Sequence, residues 1–316
     1  GNMYKNRVGS LSDAYDDTFN VPQNYFIRQN KLSNMSEPKL EEKEKKSVAK
    51  LDKGIVFYRS GQFYFFNKYG ILQNLLELTE NTEIPVICFK NDNNIQHLSN
   101  ISQLKIMGDF VIINCGLKSL MGAPKYVNGR VYIRHNNLTS LQYGPKYVGT
   151  FYNCDFNQLT SLTGAPEEIN RAFTCSHNKL RSLKCAPSKV GDYFDCSYNE
   201  LTSLTGAPKE IGGFFTCCGN KIKTFNCSDT KINGTMYFDA EYLKSLDGLP
   251  RTHKYIVVDC HKEFDTADEL RAWFTEYKKQ RDGKKKTAGL RAGAKRVGAL
   301  GGMQKNRRKA SNQNEK

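Results

Sequence analysis

Thiols and imidazoles are the groups in this chain best suited to chemistry, and their spacing limits what they can do. Cys227 and Asp229 stand two positions apart, close enough for a carboxylate to orient a nucleophilic thiol. Such a thiol needs a neighbour that lowers its pKa, and the surrounding Asn226-Cys227-Ser228-Asp229 supplies none. Cys260, His261 and Glu263 make a weak set of metal-ligand types. Cys217 and Cys218 are adjacent, so on a strand their side chains point to opposite faces, and there is no Cys-x-x-Cys pair to build a zinc site. His177 falls among variable positions and reads as a solvated side chain. No phosphate-binding glycine loop sits between a strand and a helix. The expectation is a non-enzymatic chain with no catalytic residue, no metal ligand and no cofactor.

Four of the ten cysteines, Cys154, Cys175, Cys196 and Cys217, recur at an interval of 21 residues. In a parallel stack their Cβ atoms would lie near the strand spacing of about 4.8 Å. A relaxed disulfide needs about 3.8 Å, so the column reads as a buried row of small apolar thiols. That many reduced cysteines, together with a first segment (Gly1-Asn2-Met3-Tyr4-Lys5) lacking any apolar run, point to a reducing, cytoplasmic compartment.

The same interval governs the rest of the middle of the chain. Leu120, Leu141, Leu162, Leu183, Leu204 and Leu246 fall in one column, with Phe225 in the gap. Leu117, Leu138, Leu159, Leu180, Leu201, Ile222 and Leu243 run three residues earlier, and Asn136, Asn157, Asn178, Asn199 and Asn220 form an asparagine column. Prolines stand four residues after the first column, at Pro124, Pro145, Pro166, Pro187, Pro208 and Pro250, with Asp229 the exception. A Val/Ile column (Val127, Val148, Ile169, Val190, Ile211, Ile232) always precedes Gly or Asn. Seven units of this kind are the signature of a solenoid, in which each unit buries its apolar face only against its neighbours.

Each unit reads φ-x-C-x-x-N-x-L-x-S-L-x-x-x-P-x-x-V-[GN], and it resembles the leucine-rich repeat, with an aromatic and a cysteine in the first two apolar slots. Its short period and N-x-L-T-S-L segment look like the compact bacterial class of that family, also carried by some phage proteins. The resemblance implies an α/β-type solenoid of short parallel strands that mostly binds proteins. The residues agree: φ-x-C has the period of a strand, Asn can satisfy backbone groups at the bend, and Gly or Asn suits a positive-φ turn. Proline disfavours a long return helix, so the convex side is expected to be 3-10, extended or turn-like. The Cys227-x-Asp229 spacing is also similar to that in the ligase domain of bacterial leucine-rich-repeat effectors, which leaves an effector-type enzyme using Cys227 as a remote alternative.

Five segments follow. Residues 1–53 form a charged stretch expected to be disordered. Residues 54–107 form an N-terminal cap, with a hairpin over 55–66, a helix over about 69–78 and a degenerate repeat. Residues 108–254 hold the seven repeats. Residues 255–280 supply a last strand and a capping helix from Thr266 to about Lys279, with Asp265 as N-cap and Leu270, Trp273, Phe274 and Tyr277 on one face. Residues 281–316 form a basic tail expected to be disordered. No stretch approaches the ~18 apolar residues of a membrane span.

The chain has 316 residues and a net charge of +15. Residues 278–316 carry fourteen basic and two acidic side chains, so this end accounts for +12 of that charge. Its Lys284, Lys285, Lys286, Arg291, Lys295, Arg296, Arg307, Arg308 and Lys309 can contact nucleic-acid phosphates by counterion release, without aromatics to read bases. The main candidate surface is the concave face of the solenoid. There the register places Arg130, Tyr132, Arg134, Phe151, Tyr193, Phe214 and Tyr237 as exposed groups, a mixture of aromatics and arginine typical of protein-binding hot spots. The leading expectation is therefore an intracellular protein-interaction module with an unidentified protein partner. The alternative is a nucleic-acid-associated protein, in a virion or a bacterial or phage assembly, tethered by its tail.

Overall fold

The computed structural model describes residues 48–51, 54–59, 62–67, 72–74, 83–84, 86–93, 95–98 and 101–311, with side chains at Phe63, Tyr64 and within 83–292. Contacts divide the chain into two compact units, residues 1–265 and 266–316.

The first unit opens with an antiparallel meander of β1 (Val48–Leu51), β2 (Gly54–Arg59), β3 (Gln62–Asn67) and β4 (Leu72–Asn74). The aromatic hairpin forms as its alternation predicts, Ile55 opposite Phe66 and Phe57 opposite Tyr64. The helix expected over 69–78 is not what forms: its described residues, Leu72 to Asn74, pair with β3 as a strand. A third strand gives the aromatic hairpin a partner along its open edge, and that pairing outweighs the weak helical periodicity of so short a segment. Expectations for residues 1–47 lie outside the described residues.

A parallel β-solenoid of about eight turns follows. One strand per turn enters a ten-stranded sheet: β6 (Ile87–Lys90), β8 (Phe110–Ile113), β10 (Val131–Tyr132), β12 (Tyr152–Asn153), β14 (Phe173–Thr174), β16 (Phe194–Asp195), β18 (Phe215–Thr216), β20 (Thr235–Phe238) and β21 (Lys254–Val257). The tenth strand, β22 (Lys262–Phe264), turns back antiparallel on β21 and ends the sheet with a Lys254–Glu263 ion pair of 3.3 Å. Registers such as Val131↔Tyr152↔Phe173↔Phe194 advance by the 21-residue repeat. The return segments build two further parallel sheets. One contains β5 (Glu83–Ile84), β7 (Lys105–Ile106), β9 (Tyr126–Val127) and β11 (Tyr147–Val148). The other contains β13 (Glu168–Ile169), β15 (Lys189–Val190), β17 (Glu210–Ile211) and β19 (Lys231–Ile232). The return side is thus extended and turn-like, and among the described residues the repeats contain no helix.

Each turn closes its core with the same parts. Along the interior Phe173 stacks on Phe194 at 5.7 Å and Phe194 meets Phe215 edge-on at 5.5 Å, and Leu159, Leu162, Leu180 and Leu183 are fully buried beside them. Burial of each such side chain contributes roughly 1.5–3 kcal/mol, and only neighbouring turns provide it. Between the second leucine and the proline the chain makes a β-turn, Ala123 N–H to Leu120 C=O at 2.9 Å and Ala165 N–H to Leu162 C=O at 3.0 Å. The third residue of that turn has φ of +85° at Gly122 and +98° at Gly164, the left-handed region that glycine enters freely. Tyr143 and Cys185 occupy the same position at φ 66°.

The glycines after the Val/Ile column serve a different purpose from the one expected. Gly191 does not have positive φ; a Cβ there would lie 1.9 Å from the Asn170 carbonyl oxygen of the preceding turn. Close approach of stacked backbones, not turn handedness, selects glycine there.

The second unit is one helix, α1 (Ala267–Ser311). Its N-cap is Thr266, whose Oγ1 accepts the Glu269 N–H at 3.2 Å, in the spacing of a capping box; Asp265 was the expected cap. Asp268 and Glu269 complement the dipole in the first turn. The helix runs on through the basic segment expected to lack structure. Lys, Arg and Ala, all good helix formers, supply most of this segment and no proline interrupts it, which outweighs its six glycines.

Candidate interaction surface

The outward face of the ten-stranded sheet carries the seven residues singled out as a concave binding surface, and the strands bring them into three neighbouring columns. Arg130, Phe151, Tyr193 and Phe214 stand just before β10, β12, β16 and β18; Tyr132 and Tyr237 stand within β10 and β20, and Arg134 follows β10. Their expected exposure is not what the structure has. Tyr132, Arg134 and Tyr193 are buried, at 3%, 2% and 6% exposure, and Arg130, Phe151, Phe214 and Tyr237 are half-buried. Parallel strands sit about 4.8 Å apart, less than the width of an aromatic ring, so equivalent side chains shade one another. Tyr193 and Phe214 stack at 4.6 Å with an interplanar angle of 2°, and Tyr237 meets Phe214 edge-on at 6.0 Å.

The arginines are held in place. Arg130 donates from Nε and Nη2 to Asp109 Oδ2 at 3.2 and 2.9 Å and lies over the Tyr132 ring at 5.8 Å. Arg134 lies over Phe156 at 5.6 Å, and the exposed Arg171, which sequence reasoning did not select, lies over Phe151 at 5.3 Å.

Between these rings runs a buried polar lane: Asn153, Asp155, Thr174, Ser176, Asp195, Ser197 and Thr216 are each at most 5% exposed. Asp155 Oδ1 accepts the Ser176 N–H at 2.7 Å, whereas Oδ2 is buried without a hydrogen-bond partner. Burial, reinforced by the nearby Asp195 charge, pushes the Asp155 carboxyl up to about 7. A buried carboxyl of this kind binds a proton or a cation more readily than a surface one.

At the end of each strand the asparagine column behaves as its position implies. Asn178 Oδ1 accepts the Leu159 N–H of the turn before at 3.0 Å, and its amide donates to the Cys154 and Cys175 carbonyls at 3.2 and 3.1 Å. Asn136, Asn157, Asn199 and Asn220 repeat the pattern. The column before it holds a feature missed in the sequence. His135, Phe156, His177 and Tyr198 stack face to face with centroids 4.4, 4.2 and 4.5 Å apart, all at φ of 53° or 54°. His177 is therefore a half-buried rung, not a solvated side chain. The 21-residue recurrence of His, Phe, His and Tyr was the available signal.

The thiols are packing groups. Cys154, Cys175, Cys196 and Cys217 are free and buried, and each points its sulfur at a carbonyl of the next strand, at 3.2 to 3.6 Å. Burial raises all four pKa values well above the usual thiol range. Cys227 is 2% exposed, and burial, followed by the Asp229 charge, pushes its thiol up to about 12, so the carboxylate opposes the thiolate. Among the described residues no three His, Cys, Asp or Glu side chains gather as a metal-holding group.

In the second unit Lys284, Lys285, Lys286 and Arg291 are exposed on α1. Lys295, Arg296, Arg307, Arg308 and Lys309 follow on the same helix, with side chains outside the described ones. Among the described residues no helix is long and apolar enough to cross a membrane. No protein-family model matches the chain, and no curated protein matches it closely enough to count as a relative.

Proposed function

We propose that this chain is a non-catalytic, intracellular recognition protein of the leucine-rich-repeat type that binds a protein partner through the outward face of its ten-stranded sheet. The observation that carries the reading is the margin of that face. Arg130, Phe151, Tyr193 and Phe214 share one 21-residue column, broken by Ala172, with Arg171 over Phe151 and a stacked Tyr193–Phe214 pair. Rings and guanidinium groups already fixed by stacking lose little entropy on binding, which is what a hot spot requires. The buried, protonated state of Cys227 supports a non-catalytic reading over an effector-type enzyme.

The test is the double variant Phe151→Ala with Phe214→Ala. It should weaken affinity for the chain's protein partner by about 100-fold, the scale of two hot-spot residues. Unchanged affinity in a folded double variant refutes the reading.

A second reading draws on α1. The basic residues of 278–311 share one continuous helix, an arrangement suited to nonspecific contact with nucleic-acid phosphates. Here the helix attaches and the solenoid presents. Neutralising Lys284, Lys285, Lys286 and Arg291 to glutamine would then weaken DNA binding and flatten its salt dependence.

A further inference from the structure

The ring ladder at the strand ends stops short of the solenoid's end. His135, Phe156, His177 and Tyr198 follow one another at 21-residue steps, and the next position is Gly219. Gly219 keeps the left-handed backbone of the column, at φ +69°, but presents no ring. A Cβ there would meet Tyr198 Cδ1 at 2.5 Å, so the Tyr198 ring leans over bare backbone. Beyond that ring opens a cleft of about 380 Å³. Its walls include Tyr198 and Tyr242, 42% and 41% exposed, together with Asp239, Glu241, Asp259 and Lys221.

Three carboxylates against one ammonium make the cleft an anionic recess in a chain whose net charge is +15. The carboxylates are also oriented. Asp259 Oδ1 and Oδ2 accept the Ala240 N–H at 2.9 and 3.1 Å, and Oδ2 accepts the Glu241 N–H at 2.9 Å. Asp239 Oδ2 accepts the Gly219 N–H at 2.7 Å. Backbone donors thus fix the orientation of the two groups. Burial pushes the Tyr198 phenol up, and the Asp239 and Asp195 carboxylates push it the same way.

We propose that this cleft is a binding site for a guanidinium group, supplied by an arginine side chain of a partner polypeptide. The slot continues a stack of planar rings, so it selects a flat cation that lies on Tyr198 where the next rung would be. A guanidinium does this and also forks to a carboxylate; a lysine ammonium offers neither plane nor fork and is more strongly hydrated. An anionic ligand would face the carboxylates. The inference rests on the reading of the chain as a protein-binding module and names the chemistry its partner must carry. It uses different residues from the Phe151–Phe214 margin, so the two stand or fall separately.

The probe is an acetylated, amidated tetra-arginine peptide, titrated calorimetrically into the full chain, with the tetra-lysine peptide as a charge-matched control. The arginine peptide should bind at least ten-fold more tightly than the lysine peptide. Tyr198→Ala and Glu241→Gln should each lower its affinity about ten-fold, while Tyr198→Phe, which keeps the ring, retains it. Thermal unfolding of each variant identifies any that fail to fold, and Glu241→Gln tests the site if Tyr198→Ala does not. Equal affinity for the two peptides, or arginine affinity untouched in a folded Tyr198→Ala or Glu241→Gln variant, overturns the proposal. A loss of partner binding in Phe151→Ala with Phe214→Ala alongside normal arginine binding leaves the margin reading intact and shows the cleft to be independent of it.

Discussion

Replacing Asn178 by alanine removes an amide that serves four backbone groups, yet it orphans only one of them, since the Ser176 carbonyl keeps the Phe156 N–H at 3.1 Å. The Cys175 carbonyl also receives the Asn199 amide at 3.0 Å, and the Cys154 carbonyl also receives the Asn157 amide at 3.0 Å. The Leu159 N–H, bound to Asn178 Oδ1 at 3.0 Å, has no such second partner in the ladder. One buried, unsatisfied N–H costs about 1–3 kcal/mol, so the single variant should lose about 2 kcal/mol of stability. Asn157→Ala by the same logic orphans the Leu138 N–H and should cost about as much. The double variant differs in kind, because the Cys154 carbonyl then loses both amides. It should be destabilised by about 1 kcal/mol more than the sum of the singles. Equilibrium urea unfolding of the four proteins in the cycle, monitored by circular dichroism and with m-values compared, measures this. Additive losses, or a double variant milder than the sum, would show that the amides do not share the carbonyl and that the ladder is not the element that ties turn to turn.

Three further outcomes follow from burial and charge. Thiol titration of the native chain should modify Cys185, the exposed cysteine, promptly, and leave the eight buried thiols unreacted until denaturant makes all ten available. Fast native labelling of the Cys154 column would contradict the packing role. Asp155 has a folded pKa raised to about 7, above its unfolded value, so its contribution to stability is full below pH 4 and is lost as pH rises through 7. Asp155→Asn should flatten that part of the stability profile; a wild-type chain whose urea midpoint rises from pH 5 to 8 and an Asn variant of the same slope would contradict the assignment. On the basic helix, glutamine at Lys284, Lys285, Lys286 and Arg291 removes four of the charges available to DNA, and the slope of log affinity against log salt should fall by about 3 to 4. An unchanged slope would place DNA contact elsewhere.

Sequence and structure agree where one interaction decides the residue. The aromatic and cysteine columns follow from period-2 strands, and the asparagine column follows from the need to satisfy backbone groups at a bend. Both are read directly from spacing. They diverge where two causes select the same residue type. Glycine after the Val/Ile column was compatible with positive φ or with close approach, and only the 1.9 Å clash at Gly191 separates the two. The outward aromatics alternate as exposed residues should, but a single strand does not reveal shading by the strands beside it, which buries Tyr193 to 6%. The ring ladder was present as a column and was passed over because its members differ in polarity. At residues 72–74 a pairing partner decided the structure. Composition favouring disorder did not prevent helix once Thr266 and Glu269 had nucleated it.

The central claim, that the outward sheet margin meets a protein, is tested most directly by photocrosslinking from within it. A photoreactive phenylalanine analogue placed at Phe151, at Phe214 or, as a helix control, at Arg291 preserves the full chain and replaces ring with ring at the two margin positions. Irradiation in a lysate of the source cells, after nuclease treatment, should give one defined protein adduct shared by positions 151 and 214. No adduct from either margin position, with adducts from position 291 that disappear on nuclease treatment, would contradict the account and make the basic helix the binding element.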